Sequence, residues 1–185
     1  MSTKKNHVCP VEKAKFLSSK VRRLVQNPKK ILQPYITEGM TVMDLGCGPG
    51  FFIIDMAKLA GNSGKVIAAD LQEEMLSILK NKISNTEFQD RVILHKCQQD
   101  KIGIADKMDF VLAFYIVHEI PDKEKLFKEI ASILKPMGKM LIVEPPFHVS
   151  KEDFEDCIKI ASGAGLRAVE RPRIFFSQAV ILQKV

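Results

Sequence analysis

Three glycines stand within five residues of this chain, at Gly46, Gly48 and Gly50, in the segment MDLGCGPGFF that spans residues 43–52. Apolar residues flank the segment on both sides, which predicts a short strand, a glycine turn and then a helix. Glycine adopts positive φ angles and lets the backbone approach a ligand closely. The turn is therefore predicted to hold a ligand, because a tight connection from strand to helix explains one glycine well and three poorly.

Two acidic residues narrow the choice of ligand. Asp44 precedes the first glycine by two residues, and Asp70 ends a second apolar segment. A dinucleotide site has the pattern G-x-G-x-x-G, but the third glycine position of that pattern is Phe51 here. A carboxylate at position 44 would repel a diphosphate and suits a ligand that carries an ammonium and a sulfonium group. Asp70 is placed to accept hydrogen bonds from both hydroxyls of a ribose, and its alternative role is to cap the next helix.

The rest of the chain alternates predicted strands and helices. Strands are predicted at 41–45, 65–69, 91–96, 109–114, 139–143, 166–170 and 174–183. Helices are predicted at 11–25, 28–32, 50–60, 72–83, 122–134 and 151–163. This pattern predicts an α/β Rossmann-like three-layer sandwich with a seven-stranded, mostly parallel sheet. The link between the last two strands is too short for a crossover, so the last strand is predicted to be antiparallel.

Length and charge predict how the chain is organised. A chain of 185 residues fits one domain. Residues 1–35 contain nine Lys or Arg and one Glu, whereas the whole chain carries a net charge of +6. We therefore predict a basic N-terminal helical arm at 1–35, which is a candidate cover for the active site, and a Rossmann-like domain at 36–185.

Composition also predicts the cellular setting. Four widely spaced cysteines and an N-terminus without an apolar stretch indicate a reduced, cytoplasmic protein. Contact of the basic arm with a membrane surface stays open as an alternative. The spacing of the histidines and cysteines, which include His7 and Cys9, matches no zinc pattern, so no metal site is predicted.

The segment VMDLGCGPG at 42–50 resembles the first motif of the class I S-adenosylmethionine-dependent methyltransferases. Further segments agree in order and spacing, namely VIAAD at 66–70, DFVLA at 109–113, HEIPD at 118–122 and LKPMGK at 134–139. The resemblance covers residues 38–145, and within the superfamily the sequence is most similar to the group of ubiquinone/menaquinone C-methyltransferases. It implies S-adenosylmethionine as the cofactor and S-adenosylhomocysteine as the product.

The resemblance also implies a set of cofactor-binding residues. These are Asp44, Gly46, Cys47, Gly48, Gly50, Asp70, Leu71, Cys97, Gln98, Ala113 and Phe114. Asp44 and the glycine turn would face the methionine part, Asp70 the ribose and Leu71 the adenine. The segment after the third strand reads CQQD at 97–100 and lacks the family's usual Gly-Asp pair. Gln98 or the backbone around Cys97 is therefore the expected adenine contact, with Asp100 as an alternative.

Catalytic candidates follow the fourth and fifth predicted strands. Methyl transfer from a sulfonium is an in-line displacement in which alignment supplies much of the acceleration. A base is needed only if the acceptor loses a proton. We predict His118, Glu119 and Tyr115 as catalytic or acceptor-site residues, and Glu144 and His148 lie at the same predicted sheet edge. The competing role of His118 and Glu119 is to shape the loop before the next helix.

These features together predict a methyltransferase that acts on a small molecule. Several alternatives stay open. A protein or RNA acceptor would dock on the basic arm, and a membrane-borne lipid such as a quinone would be reached by the same arm. A non-catalytic cofactor-binding subunit and an NAD-dependent oxidoreductase have a compatible fold, because a fold does not fix a function. A homodimer is also compatible with the sequence.

Overall fold

The computed structural model describes residues 20–185, which form a single seven-stranded sheet with helices on both faces. The strands are β1 (Thr41–Leu45), β2 (Lys65–Asp70), β3 (Val92–Lys96), β4 (Met108–Phe114), β5 (Leu134–Glu144), β6 (Leu166–Glu170) and β7 (Gln178–Lys184). Their order across the sheet is β3-β2-β1-β4-β5-β7-β6. β1 to β5 pair in parallel, whereas β7 is antiparallel to both β5 and β6. The predicted fold class and the reversed last strand are therefore confirmed.

The helices form the two outer layers. They are α1 (Lys20–Val25), α2 (Pro28–Leu32), α3 (Ile53–Ala60), α4 (Glu73–Ile83), α5 (Lys123–Ile133) and α6 (Lys151–Gly163). One core, which includes Met56 of α3 and Leu79 of α4, lies on one face of the sheet, and a second core, with Phe127 of α5 and Phe154 of α6, lies on the other. Since both faces are covered, the central strands are apolar at nearly every position.

Three predicted boundaries differ from the structure by three residues or more. α3 begins at Ile53 and not at residue 50. Gly50 has a φ of 77°, and residues of a right-handed α-helix have negative φ angles. β5 begins at Leu134, so the predicted turn at 136–138 is an irregular part of that strand, with Met137 at a φ of 63°. β7 begins at Gln178 because residues 174–177 form a turn.

The amino-terminal arm is described only in part. Residues 20–25 are helical, in agreement with the predicted helix over 11–25. The earlier part of that helix, together with His7, Cys9 and most of the predicted basic arm, lies outside the described residues. Within residues 20–185, no helix is long and apolar enough to span a bilayer.

Candidate active site

The glycine turn lies where β1 ends and is fixed by its own backbone. The N–H groups of Gly46 and Cys47 both donate to the carbonyl oxygen of Ala69 in β2, at 2.8 and 3.1 Å. Gly46, Gly48 and Gly50 have φ angles of 71°, 51° and 77°. This left-handed region strongly favours glycine. The turn is therefore a rigid structure that joins β1 to α3 at the edge formed by the carboxyl ends of the parallel strands.

The three glycines meet different surroundings. A Cβ atom on Gly46 would lie 2.6 Å from the Ile116 side chain, and one on Gly50 would lie 2.4 Å from Leu79. A Cβ atom on Gly48 would meet no atom of residues 20–185 within 4 Å. Gly46 and Gly50 are thus required by packing, whereas the Gly48 backbone faces open space. These positions explain why one turn contains three glycines.

The open space is a cavity of about 570 Å³ at the carboxyl edge of the sheet. This volume is typical of small-molecule sites. The predicted residues that line it are Asp44, Gly46, Cys47, Gly48, Asp70, Leu71, Cys97, Gln98, Phe114, Tyr115, His118 and Glu119. Gly50 and Ala113 are not part of the lining, since Gly50 packs on α4 and Ala113 is fully buried within the sheet. β1 and β4 are neighbours at the centre of the sheet, so the cavity lies at the switch in strand order.

Asp44 provides a buried acid at one end of the cavity. Its side chain is only 2% exposed, and its Oδ2 atom has no hydrogen-bond partner among residues 20–185. Burial, and then the negative charge of Asp70, raise the pKa of Asp44 to about 8, while the positive charge of Arg22 opposes this shift. A buried carboxylate oxygen without a partner is costly in a folded protein. Asp44 is therefore suited to a cationic ligand that would pair with it.

Asp70 joins the end of β2 to the glycine turn. Its Oδ2 atom accepts a hydrogen bond from the Gly48 N–H at 2.8 Å, and its Oδ1 atom accepts one from the Gln72 N–H at 2.8 Å. Burial raises the pKa of Asp70, and these backbone donors oppose the shift. Each carboxylate oxygen can accept more than one hydrogen bond. The predicted contact with ribose hydroxyls is thus compatible with the position of Asp70 in the cavity wall.

The segment after β3 forms the wall next to Asp70. The Cys97 N–H donates to the Asp70 carbonyl oxygen at 2.8 Å, and Gln98 and Lys101 exchange backbone hydrogen bonds that close a tight turn. Glu129 of α5 accepts hydrogen bonds from the Ile102 and Gly103 N–H groups, at 2.9 and 2.7 Å. Sequence analysis missed Glu129, because its partners are backbone groups and leave no signal in residue spacing.

His118 lines the same cavity and is paired with the buried Glu144. The His118 Nδ1 and Glu144 Oε2 atoms are 2.6 Å apart, and Glu144 Oε1 accepts a hydrogen bond from the His118 N–H at 3.0 Å. Glu144 is only 2% exposed, whereas one fifth of the His118 side chain is accessible. The hydrogen bond that Glu144 accepts from the His118 ring raises the pKa of His118, although burial opposes this shift. The His118 ring also lies against that of His148, with centroids 5.6 Å apart.

Tyr115 follows β4 in a strained backbone conformation, with a φ of 62°. Its hydroxyl group accepts a hydrogen bond from the Gln26 side chain at 2.7 Å and lies 2.6 Å from the Ser177 hydroxyl. Such strain is typical of functional positions that the surrounding structure holds in place. Tyr115 therefore links the amino-terminal helices to the cavity wall.

Comparison with known proteins places the chain in a family. A family model described as a methyltransferase domain matches residues 36–169. The chain belongs to this methyltransferase family. The demethylmenaquinone methyltransferase of Bacillus subtilis is 29% identical over 109 residues, which are 59% of this chain and 47% of that protein. The enzyme of the same name from Lactococcus lactis is 32% identical over 120 residues, which are 63% of this chain and 48% of that protein. The chain thus spans about half the length of the curated relatives it matches.

Solved structures agree with this family. The S-adenosylmethionine-dependent methyltransferase from Aquifex aeolicus is 28% identical with a TM-score of 0.87, and the match covers 96% of this chain and 100% of that one. The predicted resemblance to class I S-adenosylmethionine-dependent methyltransferases is confirmed.

The residues of the cavity fit the cofactor that this family implies. The buried Asp44 Oδ2 atom, which has no hydrogen-bond partner in the described part of the chain, suits the ammonium of the methionine part. A side chain at Gly48 would enter the open space of the cavity, so the glycine keeps room for a ligand beside the turn. Asp70 and the segment 97–102 line the wall where ribose and adenine would lie. A buried acid beside the glycine turn is complementary to the ammonium and sulfonium of S-adenosylmethionine and not to the diphosphate of a dinucleotide.

Proposed function

We propose that this protein transfers the methyl group of S-adenosylmethionine to a small-molecule acceptor that loses a proton during the reaction. The observation that carries this proposal is that one cavity is lined both by Asp44, whose Oδ2 atom has no hydrogen-bond partner among residues 20–185, and by His118, which is paired with the buried Glu144. When bound, the cofactor supplies an electrophilic methyl group on a sulfonium. The protein then has to align the acceptor with this methyl group and remove a proton.

The His118–Glu144 pair is suited to the removal of that proton. A carboxylate only accepts hydrogen bonds, so Glu144 holds the proton of His118 on Nδ1 and leaves Nε2 as the basic atom. The second bond, from the His118 N–H to Glu144 Oε1, fixes the carboxylate in the same orientation. Because Glu144 raises the pKa of His118, the neutral histidine is a stronger base than an isolated imidazole. His118 is the proposed base, and Glu144 is the residue that positions and activates it.

The proposed acceptor is small and largely apolar. The cavity wall between the glycine turn and His118 includes Phe51, Phe114, Ile116, Ile120 and Leu126. The names of the relatives specify demethylmenaquinone as their acceptor. A hydroxylated aromatic ring would fit both the apolar wall and a base that accepts a proton. Quinol-type compounds are therefore the first acceptors to test.

The test combines binding with an unbiased search for the acceptor. Purified protein is titrated with S-adenosylhomocysteine and then incubated with methyl-labelled S-adenosylmethionine and cell extract separated into metabolite, lipid, protein and RNA fractions. We expect binding, together with label in the metabolite or lipid fraction. Label in protein or RNA would overturn the small acceptor and favour docking through the basic arm. Binding without any labelled product would favour a non-catalytic subunit, and binding of NADH in place of S-adenosylhomocysteine would favour an oxidoreductase.

A further inference from the structure

Arg22 of α1 lies in the wall of the cavity, although no sequence pattern separates it from the other basic residues of the arm. Its guanidinium carbon is 4.1 Å from the centroid of the Phe51 ring and 5.6 Å from that of Phe114. Both aromatic rings are buried against the glycine turn and the end of β4. Stacking on these faces holds the partly buried cation beside the turn.

A chain of hydrogen bonds fixes the direction of the Arg22 side chain. Its Nε atom donates to Gln26 Oε1 at 3.0 Å, and Gln26 Nε2 donates to the Tyr115 hydroxyl at 2.7 Å. That hydroxyl in turn contacts Ser177 Oγ at 2.6 Å. The guanidinium is thus held from one side by a network anchored on β4 and on the turn before β7. Such an arrangement reduces the conformational entropy that a flexible arginine would lose on binding a ligand.

Arg22 and Asp44 place opposite charges in the same cavity. The positive charge of Arg22 lowers the pKa of Asp44 against the effect of burial, which shows that the two groups are electrostatically coupled. The amino-acid end of S-adenosylmethionine carries an ammonium and a carboxylate on neighbouring atoms. An acid and a guanidinium that line the same cavity are complementary to such a zwitterion. Arginine suits a carboxylate because its planar fork makes two parallel hydrogen bonds.

We infer that Arg22 binds the α-carboxylate of the methionine part of the cofactor while Asp44 binds its ammonium. This inference rests on the proposed cofactor. It gives the amino-terminal helix a part in cofactor binding, because α1 and the glycine turn recognise the two charges of one amino-acid group. The arm therefore contributes a cofactor-binding residue in addition to any role as a cover.

The test uses a pair of ligands that differ only in the carboxylate. Wild type, Arg22→Gln and Arg22→Lys are titrated by calorimetry with S-adenosylhomocysteine and with its decarboxylated analogue. We expect Arg22→Gln to weaken binding of S-adenosylhomocysteine at least about tenfold and to change binding of the decarboxylated analogue less than about twofold. Arg22→Lys keeps the charge without the planar fork and should show an intermediate loss.

Arg23→Gln is the matched control, since Arg23 is the next residue of α1 but binds Asp55 at 2.7 Å. It should not discriminate between the two ligands. If Arg22→Gln loses the same affinity for both ligands, the inference is overturned and the role of Arg22 is purely structural. An unchanged affinity of this variant for S-adenosylhomocysteine would also overturn it. Failure of the wild type to bind S-adenosylhomocysteine would instead overturn the proposed function. Thermal unfolding of each variant shows that the compared proteins are folded.

Discussion

Binding of S-adenosylhomocysteine is expected to release a proton from Asp44. Burial raises the pKa of this carboxyl group to about 8, so the free protein holds it mostly protonated at pH 7. An ammonium group beside it would favour the ionised form. The other charged groups that act on it are Asp70, which raises its pKa, and Arg22, which lowers it. Cys47 lies near Asp44, and burial raises the pKa of its thiol well above the ordinary value. The thiol therefore stays neutral at pH 7.

The number of protons released and the change in affinity with pH both follow from the pKa of Asp44. With a pKa of about 8, close to 0.9 proton per site should be released on binding at pH 7 and about 0.5 at pH 8. The apparent dissociation constant should fall roughly 50-fold between pH 6 and pH 8, because the protonated site has to lose its proton before the ligand binds.

The same pKa predicts an opposite trend for stability. Between pH 4 and pH 8 the native state holds a proton on Asp44 that the unfolded chain has lost. Stability therefore decreases as the pH rises through this window, by an amount on the order of several kcal/mol at pH 8. Asp44→Asn removes this contribution while it keeps the size of the side chain. The variant should unfold at a higher temperature than the wild type, and the difference should be larger at pH 8 than at pH 5.

Calorimetry in buffers of different ionisation enthalpy measures the released protons directly. In phosphate and in Tris at pH 7, the wild type should give different binding enthalpies. This difference should disappear in Asp44→Asn. The variant should also bind S-adenosylhomocysteine at least about tenfold more weakly. A wild-type enthalpy that is independent of the buffer would refute the reasoning. A buffer effect that persists in Asp44→Asn would assign the proton to another group.

Three further predictions test other parts of the site. Asp70→Ala should weaken binding of S-adenosylhomocysteine at least about tenfold in calorimetry, because a charged hydrogen-bond acceptor for the ribose is lost. An unchanged affinity would show that Asp70 does not bind the ribose. Gly50→Ala should reduce the free energy of unfolding by about 1–3 kcal/mol in urea, because the new methyl group would overlap α4 at a strained φ angle. Gly163→Ala, in a helix with open space around the new methyl group, should have no such cost and serves as its control. Once an acceptor is known, the rate should rise with pH through the pKa of His118, and Glu144→Gln should move that inflection to lower pH and reduce the plateau. An inflection that stays in place would show that Glu144 does not act through His118.

Local patterns in the sequence predicted most of the fold. Strand and helix periodicity, the short link before β7 and the glycine turn each depend on residues that are close in the chain. The boundary errors at α3 and β5 have local causes of another kind, since backbone angles such as those of Gly50 and Met137 cannot be read from residue type alone.

The sequence by itself determined the class of the fold, the place of the glycine turn and the identity of Asp44 and Asp70, because these depend on short-range spacing. Tertiary structure decided which distant residues meet. Glu144 binds His118 across 26 positions of the chain, and Arg22 reaches Phe51 on another element. These contacts depend on strand order and on helix packing, which bring together residues that no local pattern relates. The predicted cofactor residues and the candidate base His118 were thus named from the sequence, whereas the pairing of His118 with Glu144 and the position of Arg22 in the cavity wall depended on the fold.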